Sequence, residues 1–191
     1  VFNDKNNMLV LKKWLPADSA SRLPSGPNHQ IGVGCVVLHP NDPTQMLTVQ
    51  EKTGPAAAIG LWKMPTGLTD WAEDIHDAAI RELHEETGLK ANFDGILCMR
   101  QAHATTGGGT GRAVSDLFFV CRMSLTDETA VSIEDHMTAC PNEIAAMQWM
   151  KVQDYCDQER WQTSPVYQEL NKSILYASQH AQFHHETLPL G

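Results

Sequence analysis

The stretch from Gly67 to Leu89, GLTDWAEDIHDAAIRELHEETGL, limits what this chain can become more than any other part of it. Its apolar residues recur at helical spacing from about Asp74 to Thr87. Asp70 or Asp74 can cap the start, and Gly88 stands where a helix takes a left-handed terminal residue. At about 100° per residue, with Glu82 as zero, Glu86 falls near +40° and Glu85 near −60°. Ile75, Ala79, Ile80 and Leu83 span roughly +20° to +160° on the same wheel. Three carboxylates therefore share one face within one turn, and that face borders the apolar stripe.

Acids at the edge of a core repel one another, and each has its pKa raised unless a cation neutralises the group. Arg81 and Glu85 are the one i,i+4 ion pair within that turn. Hard divalent ions with oxygen ligands, Mg²⁺ or Mn²⁺, suit such a set. A solvated acidic face is the competing reading of the spacing.

The flanking sequence supplies strands. Ile31–Leu38 reads as a buried strand, Asn41-Asp42-Pro43 as a turn, and Met46–Gln50 as the returning arm of a hairpin. Thr53–Gly60 reads as a loop and Leu61–Pro65 as a short strand stopped by Pro65. Phe93–Ala102, Ser115–Met123 and Ala146–Met150 are further strands. Ser164-Pro165 opens a last helix with Val166, Leu170, Ile174, Ala177 and Ala181 at helical spacing. The order strands, helix, strands, helix makes the fold α+β, with helices packed on a mixed sheet.

With 191 residues the chain is long enough for one ordinary domain. Its formal net charge of −9 speaks against binding nucleic acid or an anionic membrane through a basic surface. No apolar run approaches the ~20 residues of a membrane span. Cys35, Cys98, Cys121, Cys140 and Cys156 are odd in number and form no CxxC pair, so they read as small hydrophobes in a reducing compartment. That places the protein inside the cell, the cytoplasm first. The chain starts at Val1 without Met or a signal-peptide pattern, so it is expected to begin within a longer product, and an organelle stays open.

The Gly67–Leu89 stretch resembles the Nudix box, G-x5-E-x7-R-E-U-x-E-E-x-G-U with U a bulky aliphatic, at all nine specified positions. Similarity to one Nudix subgroup continues outside it, in Trp14-Leu15-Pro16, His29–Gly34, Leu61–Gly67, Ser115–Arg122, Glu143-Ile144 and Gln148–Met150. That subgroup holds the plant Nudix hydrolases of the ADP-ribose/NADH type and the antisense-fibroblast-growth-factor-like Nudix proteins. The resemblance implies a mixed β-sheet sandwiched between helices over residues 29–180. It implies an upstream domain tail and linker over 1–28, and leaves 181–191 as a C-terminal tail.

It further implies a pyrophosphohydrolase that cleaves a nucleoside diphosphate derivative, ADP-ribose or NADH first, by attack of a metal-activated water. Glu82, Glu85 and Glu86 would hold Mg²⁺ or Mn²⁺, with the carbonyl of Thr66 as a backbone ligand and Glu73 as an accessory acid. Glu82 would also orient or deprotonate the water, and Arg81 would fix the glutamate rotamers. Glu143 is the candidate for a catalytic base supplied from beyond the box, a surface acid at a helix start being the alternative; Glu134 and Asp135 are weaker candidates. Arg100, Arg112 and Trp71 are candidates for phosphate or base contacts. A homodimer is a further expectation.

The usual Gly-Gly before the box is Thr66-Gly67 here, and the sequence markers that fix a substrate in other Nudix subfamilies are absent. The Gly107–Gly111 run lacks the Lys and Ser/Thr of a P-loop and reads as a lid or disordered loop. Trp62 and Trp149 are expected in the core, His76 and His84 on the surface. A Nudix-fold binding or regulatory module without catalysis is the competing function.

Overall fold

The computed structural model describes residues 13–22, 28–103 and 114–180, together with the backbone of two short strands, β1 (Phe2–Asn3) and β2 (Met8–Leu9), which pair antiparallel. Arg112, the Gly107–Gly111 run, Ala181 and the tail beyond it lie outside the described residues.

The central strand is β3 (His29–His39), whose side chains alternate between two cores. Val33, Cys35 and Val37 turn to one face and Val36 to the other. Along one edge β3 pairs in parallel with β7 (Ser115–Leu125), and β7 pairs antiparallel with β6 (Ala91–Ala102). The other edge is shared: β5 (Thr66–Leu68) pairs with Gly32–Gly34, and β4 (Asp42–Glu51) meets the far end at Leu38 and His39. β8 (Ile144–Lys151) adds to β4. The result is a six-stranded mixed sheet.

Helices cover both faces, as expected of this α+β arrangement. On one face α2 (Ile75–Thr87) buries Ala78, Ala79 and Leu83 against Val33, Cys35 and Val37. On the other, α5 (Val152–Asp157) and α7 (Pro165–Gln179) bury Val152, Tyr155, Cys156, Leu170 and Ile174 against Val36, Met46 and Val120. Among the described residues no helix is long and apolar enough to cross a membrane. All five cysteines are free; Cys35, Cys121 and Cys156 are buried and Cys98 and Cys140 are half-buried.

Several local expectations are corrected. The expected loop at Thr53–Gly60 contains a helical turn, α1 (Gly54–Ala58), begun by Pro55 and carried by alanines. The expected strand at Leu61–Pro65 shrinks to a bridge, with Val49 and Lys63 exchanging backbone bonds of 2.8 and 3.0 Å. Pairing resumes at Thr66, after Pro65, which has no N–H to give. Four further short helices were not expected: α3 (Asp127–Val131), α4 (Ile133–His136), α5 (Val152–Asp157) and α6 (Glu159–Gln162). Each has four to six residues, too few for periodicity to register. In α7 the buried stripe starts at Leu170, while Val166 is exposed. Asp74 and Ser164 stand at the N-caps of α2 and α7 without side-chain capping bonds.

Candidate active site

The carboxylates are positioned by the C-terminal turns of α2, which end at Gly88 with φ 74°. The Gly88 N–H donates to the His84 carbonyl at 2.8 Å. Beyond the helix, the N–H groups of Thr138 and Cys140 donate to the carbonyls of Thr87 and Glu86 at 2.8 and 3.0 Å. These bonds satisfy two carbonyls that a helix end leaves open. They also pin the 138–143 segment, with Glu143, to the end of α2.

Arg81 organises the acids around it. Its Nε and Nη2 donate to Glu73 Oε1 and Oε2 at 2.7 and 2.8 Å, a bidentate pair. Nη2 also reaches the Leu68 carbonyl at 2.9 Å, and Nη1 reaches Glu82 Oε1 at 2.8 Å and Glu85 Oε2 at 3.2 Å. All five N–H donors of the guanidinium are thereby used. Hydrogen bonding to Arg81 holds the Glu73 carboxyl down at about 2, and the Arg81 pKa is raised in return. Glu73, expected as an accessory metal ligand, has both oxygens engaged by Arg81 and a third bond from the Asp70 N–H at 2.7 Å. Its structural role here is to anchor Arg81.

Glu82 and Glu86 stand in a different environment. Burial raises the Glu82 pKa against the lowering effect of Arg81, and Glu85 and Glu143 push it further up. Its carboxylate lies so close to the backbone of β5 that a Cβ on Gly67 would fall 1.8 Å from Glu82 Cδ. Gly67 is thus needed for close approach. Glu86 is only 4% exposed. Burial pushes its carboxyl up to about 7, and the Lys63 ammonium and the Thr66 N–H only partly offset this. The Thr66 N–H reaches Glu86 Oε2 at 3.2 Å. Lys63 is shared among Glu86, the Glu51 carboxylate at 2.5 Å and the Thr66 hydroxyl at 2.7 Å.

The donor chemistry fits a hard divalent cation: carboxylate oxygens, one of them buried with too little positive charge around it, beside a backbone segment that carries no Cβ. Glu82, Glu85 and Glu86 do not converge as tightly as Asp74, His76 and Asp77, whose donor atoms all lie within 4.8 Å on the exposed start of α2. Glu82 and Glu85 meet instead on Arg81 Nη1.

The other sequence-derived candidates fall in different places. Glu143 is exposed on the turn before β8, within electrostatic reach of Glu82. Glu134 and Asp135 are exposed on α4. Trp71 is 80% exposed between β5 and α2. Arg100 is half-buried. It bonds Asp116 at 2.9 Å and lies over the rings of Phe118 and Tyr167 at 5.5 and 5.8 Å. There it lines a cavity of about 160 Å³ together with Lys63, Thr66, Phe118, Trp161 and Tyr167. Sequence reasoning missed this cavity and Lys63. The signal available was Gly32-Val-Gly34, whose glycines leave room on the α7 face of β3. A Cβ at Gly34 would meet Phe118 Cζ at 2.6 Å and Met64 Sδ at 2.7 Å.

Comparison with known proteins agrees with this geometry. The profile of the NUDIX domain matches residues 28–170. Nudix hydrolase 2 of Arabidopsis thaliana is 40% identical over 154 residues, 81% of this chain and 50% of that protein. Human nucleoside diphosphate-linked moiety X motif 6 is 33% identical over 167 residues, 87% of this chain and 48% of that protein. The chain thus spans about half the length of these relatives. The crystal structure of a NUDIX hydrolase from Nitrosomonas europaea superposes with a TM-score of 0.56 at 17% identity, over 84% of this chain and 78% of that one, which shows the shared fold. With this fold, and with Glu82, Glu85 and Glu86 spaced along one helix behind Gly67, the chain belongs to the NUDIX family.

Proposed function

We propose that this chain hydrolyses the pyrophosphate linkage of a nucleoside diphosphate derivative, ADP-ribose or NADH first, at the carboxylate face of α2. The activity is assigned to residues 29–180, with 1–28 and 181–191 as flanking segments. The observation that carries the reading is the Glu86 carboxylate, buried and raised to about 7, beside Glu82, which burial also raises. A protein that needed only a solvated acidic face would not bury it.

Glu82, Glu85, Glu86 and the Thr66 carbonyl would hold the divalent ion, Mg²⁺ or Mn²⁺. When bound, such an ion neutralises diphosphate oxygens and acidifies a water. The rest is done by the chain itself. Arg81 holds Glu82 Oε1, which fixes the carboxylate and leaves Oε2 to take a proton from the attacking water. A carboxylate whose pKa is raised by burial is the better base near neutral pH. Glu73 keeps Arg81 in place, so Glu82 and Glu85 share one fixed donor. Glu143 adds a second negative charge facing Glu82 and is the alternative base.

The test is a panel of ADP-ribose, NADH, dinucleoside polyphosphates, nucleotide sugars and 8-oxo-dGTP with Mg²⁺ or Mn²⁺, following release of AMP or phosphate. Glu82→Gln is expected to lose at least ~10²-fold in kcat with the fold intact. Full turnover by that variant, or by enzyme in EDTA, would remove Glu82 and the metal from the mechanism. Ligand binding with no hydrolysis across the panel would favour a binding module.

A further inference from the structure

We infer that Lys63 and Glu51, both outside the box, are opposed positioning residues for the metal site. Acting through Glu86, Lys63 loosens the hold of the α2 carboxylates on a divalent ion and Glu51 tightens it. The inference rests on the hydrolase reading, which gives those carboxylates an ion to hold.

The pair is built onto fixed backbone. Lys63 and Val49 exchange bonds of 2.8 and 3.0 Å, so their two chain segments lie locked side by side. Glu51 stands two residues beyond Val49 on β4, where the pairing with β8 shifts register. Its carboxylate reaches Lys63 Nζ at 2.5 Å, an ion pair across the bridge. The second acceptor of the ammonium is the Thr66 hydroxyl at 2.7 Å. The glycine usual at that position has no hydroxyl to offer, so this tie comes with the departure to Thr66.

Two acceptors thus hold the ammonium beside Glu86 rather than on it. Among the described residues the Glu86 carboxylate takes its hydrogen bond from the Thr66 N–H at 3.2 Å, while Lys63 and Glu51 act on it through space with opposite sign. Lys63 exposes 14% of its side chain, and Glu86 is buried, so water screens little of that interaction. A lysine free to swing could leave when an ion arrived. This one keeps its charge in place, and like charges at short range repel. Glu51 cancels part of its field. Held this way, the carboxylates do not close tightly on an ion until the diphosphate brings oxygens of its own, the mixed shell that suits Mg²⁺.

The Mn²⁺ affinity of the metal-free 191-residue chain, measured calorimetrically without substrate, separates tuning from mere support. A charge within a few ångströms moves an equilibrium at a carboxylate by about tenfold or more. Lys63→Met and Lys63→Gln, both neutral and of similar length, are expected to bind Mn²⁺ about tenfold more tightly than wild type. Glu51→Gln is expected to bind it about three- to tenfold more weakly, and the double variant Lys63→Met/Glu51→Gln to return to within about threefold of wild type. Lys63→Arg keeps the charge and should stay near wild type. Glu86→Gln removes the group through which both act, and in that background Lys63→Met should bring no gain. A pair that only supported the fold would weaken binding in every variant, whatever its charge. Weaker or unchanged Mn²⁺ binding by both neutral Lys63 variants, with native circular dichroism, overturns the inference and leaves the carboxylate site standing. A wild-type chain that binds no Mn²⁺ removes the ion from α2, and the metal-dependent reading falls together with the inference.

Discussion

Replacing Glu86 by Gln is expected to stabilise the metal-free protein at alkaline pH, although it removes a family glutamate. In the folded chain burial holds the Glu86 carboxyl at about 7, against an ordinary value of 4.5. The folded state therefore binds the proton more tightly than the unfolded state. Its contribution is fully favourable below about pH 4.5 and is lost as the pH rises through about 7. At about 1.4 kcal/mol per pKa unit the loss is about 3 kcal/mol by pH 8. The groups that set it are Lys63, Thr66, Glu82 and Glu51. Gln has the same shape, can still accept the Thr66 N–H, and carries no charge. At pH 8 in EDTA the variant should exceed wild type by up to about 3 kcal/mol, or roughly 6–12 °C in Tm for a domain of this size. At pH 5 the gap should fall below about 1 kcal/mol. Urea and thermal unfolding from pH 5 to 8.5 measure it. Saturating Mg²⁺ should then raise the wild-type Tm at pH 8 and leave the variant nearly unmoved. A variant no more stable than wild type at pH 8, or equally stabilised by Mg²⁺, would refute the placement of an uncompensated buried carboxylate at this point.

Two smaller changes probe the frame around Glu86. Gly67→Ala would set a Cβ 1.8 Å from Glu82 Cδ; it should cost about 1–3 kcal/mol by chemical unfolding and displace Glu82, so that kcat falls with it. Arg81→Lys keeps a charge and loses the fork on Glu73. It should destabilise the chain by about 1–3 kcal/mol and, because Glu73 owes its low pKa to Arg81, bring acid unfolding to a higher pH than in wild type.

The sequence is legible where spacing carries the information. α2 repeats its pattern over 13 residues, long enough for Ala79 and Leu83 to mark the buried stripe and for Glu82 and Glu86 to fall at its border; Ala78, also buried, lies outside that stripe. The close of the helix is legible too, because Gly88 adopts a φ of 74° that other residues resist. The strands are legible as apolar runs, with ends extended by up to four residues through pairing that no single strand encodes, so that β4 takes in Asp42 and Pro43 of the expected turn. α1, α3, α4, α5 and α6 escape because four to six residues hold less than two helical turns. Glu73 and Arg100 show the limit for charged side chains. Residue type says that an acid can ligate and that an arginine can meet phosphate. It does not say that Glu73 spends both oxygens on Arg81, or that Asp116, Phe118 and Tyr167 from three other positions enclose Arg100.

The sheet separates two kinds of side-chain cluster. The α2 face gathers Glu73, Glu82 and Glu85 around Arg81, and the α7 face gathers the rings of Tyr155, Trp161 and Tyr167. Lys63 and Thr66 touch both: the Pro65 carbonyl accepts from the Cys35 N–H at 2.8 Å, and the next residue turns its N–H to Glu86. A chain of net charge −9 can attract a dianionic linkage only where its own negative field is locally reversed. Lys63 and Arg100 already face Glu51 at 2.5 Å and Asp116 at 2.9 Å, so on the proposed reading that reversal falls to a divalent ion held by the α2 carboxylates.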